Sequence, residues 1–212
     1  MSAEFIARED GSAIELRIEG EAGGRLALIQ AGFGYGLDLP LLYYARRTVR
    51  AAEYRCLCVD LRYTTNQSFL ALADEAREEY FKRDIERITE RLGKEGSPPS
   101  LAMGKSLGTT VIHRLLLRGA LAEDCRLGLL TPGTEWPAIA ETLVGGASPA
   151  LVVGGTADPL FLAVDRTRLS ARRGLDIMEV EGADHSLETG DLGRDLATLT
   201  MVIHRIGVFI EP

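Results

Sequence analysis

Short, uninterrupted apolar runs separated by stretches of helical periodicity constrain this chain more than any other feature. The runs are Leu26-Ala27-Leu28-Ile29, Cys56-Leu57-Cys58-Val59, Leu101-Ala102-Met103, Leu127 to Leu130 and Leu151-Val152-Val153. A strand with one wet face alternates apolar and polar residues. A strand apolar at nearly every position has both faces covered, as in parallel sheets flanked by helices. Helical spacing appears between the runs. Phe81, Ile85, Ile88 and Leu92 mark one apolar face, closed by Gly93 as a C′ residue, and Leu199, Val202, Ile203, Ile206, Phe209 and Ile210 mark another near the C-terminus. The alternation predicts an α/β fold: a doubly wound, mostly parallel sheet with helices on both faces. Phe5 to Arg8 and Ile14, Leu16, Ile18 instead alternate, which predicts an antiparallel hairpin with one wet face; with a further strand at Met178–Val180 the count is eight. With 212 residues, 46% of them hydrophobic, and no repeat or linker, a single domain over residues 1–212 is expected.

Three segments carry the chemistry. Gly104-Lys105-Ser106-Leu107-Gly108 follows the run Leu101–Met103 and precedes a helical stretch from Thr109 to Leu117. It is a G-x-S-x-G turn in strand–turn–helix context, where glycines flank the Ser because strand and helix must approach closely. Gly154-Gly155-Thr156-Ala157-Asp158-Pro159 places a carboxylate in the loop after the run Leu151–Val153, and Glu181-Gly182-Ala183-Asp184-His185-Ser186 places a His after the strand at Met178–Val180. A Ser hydroxyl becomes an effective nucleophile when a base takes its proton, and His suits that role near neutral pH. A buried carboxylate then fixes the imidazole tautomer and stabilises the imidazolium. The chain has only three His, so one in this loop is informative.

These segments, GKSLGT at Gly104 to Thr109, GGTADP at Gly154 to Pro159 and GADHSLE at Gly182 to Glu188, resemble the α/β-hydrolase superfamily, in particular its small capless members of the dienelactone-hydrolase kind. The order Ser, Asp, His along the chain is that of the superfamily. The resemblance runs from about Arg25 to the C-terminus and implies an eight-stranded sheet and a serine hydrolase that cleaves an ester, thioester or related acyl bond. It implies catalytic roles for Ser106, Asp158 and His185. The oxyanion hole is expected from the backbone N–H of Leu107, after the nucleophile, and from the loop Gln30-Ala31-Gly32-Phe33-Gly34-Tyr35-Gly36, where matching Ala31-Gly32-Phe33 to the family's His-Gly-x assigns the second donor to Phe33. Ala31 departs from the His common there.

Asp158 is favoured as the triad acid for its place at a strand end before Pro159, with Glu135, one strand earlier, as the alternative. Asp184 is adjacent to His185, and neighbours in a tight loop point apart. His113 and His204 lie within helical stretches and follow no strand end, so both are read as packing or surface residues. A helix around Trp136 to Leu143 fills the interval in which many α/β-hydrolases insert a cap. Cover is expected from short loops, with Tyr35, Tyr63, Pro132 and Trp136 as candidate pocket residues.

Other function classes fit less well. Gly104-Lys105-Ser106 matches the end of a phosphate-binding loop, but G-x-x-x-x-G-K-[ST] needs Gly at position 99, which is Pro. Cys56 and Cys58 are read onto opposite faces of one strand and so unable to bridge, and Cys125 is isolated; the three have no metal-ligand spacing. Neither a cofactor nor a metal is expected. Net charge −7, from 24 basic and 31 acidic residues, argues against nucleic-acid binding. No apolar stretch reaches the ~20 residues needed to span a bilayer, and the acidic, basic start Glu4, Arg8, Glu9, Asp10 has no leader-like core. The expected setting is cytoplasmic and the expected partner a small-molecule acyl substrate, with the oligomeric state open. A catalytically silent scaffold on the same fold is the alternative, and labelling of Ser106 by a fluorophosphonate separates the two.

Overall fold

Eight strands hydrogen-bond into one sheet in the order β1-β2-β4-β3-β5-β6-β7-β8 in the computed structural model, which describes residues 2–21 and 23–211. They are β1 (Ser2–Ala7), β2 (Ala13–Glu19), β3 (Leu26–Gln30), β4 (Arg55–Asp60), β5 (Leu101–Ser106), β6 (Arg126–Pro132), β7 (Ala150–Gly155) and β8 (Leu175–Val180). The β1–β2 hairpin is antiparallel and β2 joins β4 antiparallel. Every other pairing is parallel. β3, β5, β6 and β7 are each interior to the sheet, and their continuous apolar runs follow from that position: both faces of each strand meet a helical layer.

Helices α1 (Pro40–Ala51) and α8 (Leu192–Ile210) cover one face, whereas α3 (Asp74–Leu92), α4 (Leu107–Leu117) and α5 (Trp136–Gly145) cover the other. Period-two alternation of the strands sorts the core accordingly. Ala27, Ile29, Met103 and Val153 pack with Leu42, Val49, Val202 and Ile206, and Leu28, Ala102, Leu129 and Val152 pack with Ile85, Ile112 and Ile139. Short single-turn helices, α2 (Gln67–Leu70), α6 (Pro159–Leu162) and α7 (Thr167–Ser170), fill the connections. Between β6 and β7 the chain holds only α5, so the β6–β7 connection carries no cap.

Two local expectations are corrected. Cys56 and Cys58 share one face of β4, both buried in the α1/α8 layer, because a strand returns every second side chain to the same side. They remain free thiols. Gly93 closes α3 in an ordinary helical conformation, φ −61°, rather than the left-handed one of a C′ glycine.

Candidate active site

The C-terminal ends of β5, β7 and β8 bring the three predicted side chains together. Ser106 ends β5 and opens directly into α4 with φ 53° and ψ −117°, a conformation that few non-glycine residues adopt. Packing holds it there. A Cβ on Gly104 would lie 2.6 Å from the backbone of Gly108, and one on Gly108 would lie 2.5 Å from the carbonyl oxygen of Gln30. Only glycine at both positions lets strand, helix and the end of β3 approach this closely. Thr109 secures the turn, its hydroxyl donating to the Ser106 carbonyl at 2.7 Å and accepting from the Gly133 N–H at 3.3 Å.

His185 Nε2 lies 2.8 Å from Ser106 Oγ, and His185 Nδ1 lies 2.7 Å from Asp158 Oδ2. Asp158 is fully buried. Its second oxygen accepts from the Leu160 N–H at 2.9 Å, capping α6, so the carboxylate is fixed at both ends. In a relay of this kind a carboxylate on Nδ1 leaves Nε2 free to exchange a proton with the hydroxyl. Asp184 turns away, accepting from the N–H groups of Ser186 and Glu188 and so shaping the loop that presents His185.

Glu135 is not part of this relay. It pairs with Arg114 and lies 3.7 Å from His113 Nδ1, across α4 and α5. Burial pushes its carboxyl up, but the hydrogen bonds from His113 and Arg114 outweigh it and hold the group down to about 2. His113 is buried against Thr142, and His204 is exposed on α8.

The loop after β3 stands over Ser106. A Cβ on Gly32 would meet Ser106 Cβ at 3.5 Å, and the Gly32 N–H is tied to the Tyr35 carbonyl. Phe33 follows at the exposed edge of this loop, and Leu107 begins α4, where its N–H has no preceding turn to bond.

Of the four residues predicted to line a pocket at the site, Tyr35 borders a groove, but one that Ser106, Asp158 and His185 do not line. The groove, of about 640 Å³, lies between Leu39, Ser186, Leu187, Leu192 and Leu196. Tyr63 is instead buried, stacked on Phe69 at 3.9 Å, with its hydroxyl donating to Asp84 at 2.7 Å. That carboxylate also binds Arg8, so Tyr63 belongs to a core ion pair that ties the N-terminal hairpin to α3. Trp136 is fully buried, its indole N–H donating to the Phe161 carbonyl. Pro132 pairs with Ser106 in the β5–β6 ladder and is buried there. Sequence periodicity does not tell an aromatic at a loop's edge from one turned inward, and three of the four turn inward.

Lys105 holds the variable position of the G-x-S-x-G turn, for which the motif requires no particular side chain. The structure buries it, 2% exposed, with its ammonium donating to Thr131 Oγ1 at 2.9 Å and to the His185 carbonyl at 3.0 Å, 4.6 Å from the Tyr35 ring centroid. Burial pushes the ammonium down to about 8 against the pull of Asp158, Asp184 and Glu188. The available signal was its position, a Lys between apolar β5 and apolar α4.

Among the described residues no group of three or more His, Cys, Asp or Glu could hold a metal ion, and no helix is long and apolar enough to cross a membrane. No protein-family model matches the chain, and no curated protein matches it by sequence. Solved structures do match along nearly the whole chain. An α/β serine hydrolase homologue from Coxiella burnetii is 14% identical with a TM-score of 0.66, covering 99% of this chain and 97% of that one. Est1E from Butyrivibrio proteoclasticus is 15% identical with a TM-score of 0.66, covering 99% and 98%. The mouse α/β-hydrolase domain-containing protein 10 is 12% identical with a TM-score of 0.65, covering 99% and 98%. Similarity at this level of identity establishes the fold.

Proposed function

We propose that this chain, which has the α/β-hydrolase fold, is a serine hydrolase acting on an ester, thioester or related acyl bond. One observation carries the proposal: the unbroken relay from Ser106 Oγ through His185 to buried Asp158, at 2.8 and 2.7 Å, built on a backbone strained at the nucleophile. Ser106 Oγ attacks the acyl carbon while its proton passes to His185 Nε2. The tetrahedral oxyanion is assigned to the N–H groups of Leu107 and Phe33, which flank Ser106 from the start of α4 and from the loop over it. Collapse breaks the bond to the leaving group, which takes the proton from Nε2, and leaves an acyl-enzyme. Water, deprotonated by the same imidazole, then releases the acid and restores the hydroxyl. Asp158 stays ionised throughout and holds the Nδ1–H.

The strained elbow weighs against a silent scaffold. A positive φ at a non-glycine residue costs of order 1–3 kcal/mol, and a scaffold gains nothing from holding Ser106 there. The test is a fluorophosphonate reaction followed by peptide mapping, run beside a panel of esters and thioesters. Label on Ser106 and turnover are expected, with Ser106→Ala folded, unlabelled and reduced at least about 10⁴-fold in kcat. A folded Ser106→Ala variant with parental turnover overturns the assignment.

A further inference from the structure

Lys105 is a buried charge that the proposed reaction does not use. An ammonium at 2% exposure pays a desolvation cost, which is offset here by two hydrogen bonds and one aromatic face. Those partners come from three separate elements: Thr131 at the end of β6, the backbone carbonyl of His185 in the β8–α8 loop, and the Tyr35 ring in the loop after β3. Met at this position would fill similar space without that cost. The residue whose carbonyl is held is the one whose imidazole meets Ser106, and Lys105 is covalently adjacent to Ser106.

We propose that Lys105 is a positioning residue, its ammonium tying the backbone of the His185 loop to β5 and β6 and so fixing the imidazole in register with the Ser106 hydroxyl. The proposal rests on the serine-hydrolase reading. Without this tie, the loop from Ala183 to Glu188 keeps Ala183 and Leu187 buried in the α1/α8 layer and the bonds of its own turn: the Asp184 N–H to the Glu188 carbonyl, the Leu187 N–H to the Asp184 carbonyl, and the two Asp184 carboxylate bonds. The turn bonds organise the loop internally. In the β8–α8 loop, the Ala183 carbonyl accepts from Ala157 and the His185 imidazole meets Ser106 and Asp158, but among the described residues only the Lys105 bond anchors the His185 backbone itself to the sheet.

The tie also senses pH. The charged and titratable groups facing Lys105 are Asp158 after β7, Asp184 and Glu188 in the β8–α8 loop, Tyr35 after β3 and His185 itself. The three carboxylates favour the ammonium but burial outweighs them, so the proton is lost as pH rises through about 8. The neutral amine keeps weaker donors and loses its attraction to the Tyr35 ring.

The experiment compares wild type and Lys105→Met by three readouts: kcat and KM on p-nitrophenyl acetate from pH 6.5 to 9.5, the rate of fluorophosphonate labelling, and hydrogen exchange of the 183–188 amides corrected for intrinsic rates. Lys105→Met is expected to lower kcat and labelling about 10- to 100-fold with KM within about 2-fold, and to speed exchange in 183–188 about 10-fold at pH 7. Wild-type kcat is expected to fall about 3- to 10-fold between pH 7.5 and 9.5, a limb that Lys105→Met lacks. Should Lys105→Met fail to fold, the wild-type alkaline limb and the matching rise in 183–188 exchange decide the matter. A folded Lys105→Met with parental kcat and unchanged exchange, or a wild type flat in both readouts to pH 9.5, overturns the proposal. Absence of labelling in wild type at every pH removes the hydrolase reading instead, and the exchange data still read the tie.

Discussion

Two carboxylates near the sheet's C-terminal ends, Asp158 and Glu135, differ in what they touch, and the difference makes separate predictions for each. Asp158 is fully buried and bonded to His185 Nδ1, so Asp158→Asn removes the acceptor that sets the imidazole tautomer and should lower kcat about 10⁴-fold with the fold retained. Glu135→Gln should leave kcat within about 3-fold, because Glu135 faces Arg114 and His113 rather than the relay. Its effect should appear in stability. The folded-state carboxyl is held down to about 2 from an ordinary 4.5, so its contribution is fully present above about 4.5 and is lost as pH falls through about 2. Melting temperatures of wild type and Glu135→Gln should therefore differ at pH 7 and converge toward pH 2; equal values at pH 7 would contradict the pairing. Ser106, Asp158 and His185 were legible in the sequence because each follows an apolar run and their order is chemically informative. The burial of Lys105 was not, since its partners Thr131 and His185 lie 26 and 80 residues away.

At the level of elements, the elbow stands on how closely β5, α4 and β3 approach. Gly108→Ala would set a methyl 2.5 Å from the Gln30 carbonyl oxygen and 2.9 Å from that of Ala31, both backbone atoms at the root of the loop that carries Phe33. Relief requires moving β3 against α4. The expected cost is about 2–3 kcal/mol in urea unfolding, with kcat lowered further because the loop over Ser106 moves. A variant of parental stability and activity would show that the elbow tolerates a wider spacing. The interior strands were readable because burial on both faces leaves an unbroken apolar run. α1 was harder to read. Its buried face, Leu41, Leu42, Ala45, Arg46 and Val49, includes an arginine paired with the buried Glu19, so the apolar period is broken by a charge whose partner lies in β2. α2, α6 and α7, of four residues each, are too short to repeat a helical period at all.

On the scale of the whole molecule, the placement of the helices decides how much surface can grip a substrate. The β6–β7 connection is occupied by α5, whose Trp136, Ile139, Ala140 and Leu143 are buried against the sheet, so it contributes no lid above Ser106. Ser106 is half-buried, and the His185 side chain retains 34% of its exposure, as in an open site. The groove of about 640 Å³ lies to the α1/α8 side, bordered by Tyr35, Leu39, Ser186, Leu187, Leu192 and Leu196, and none of Ser106, Asp158 and His185 lines it. With little enclosed apolar area at Ser106, each added methylene of a bound chain would gain far less than the ~0.8 kcal/mol of full burial. Under the serine-hydrolase reading, kcat/KM for p-nitrophenyl esters should peak at acetate to butyrate and decline toward palmitate. A steady rise to long chains would refute the open-site argument. If that rise were then abolished by Leu196→Asp, in a variant still active on acetate, the long chain would lie in the α1/α8 groove; a rise untouched by Leu196→Asp would place it elsewhere over the open face.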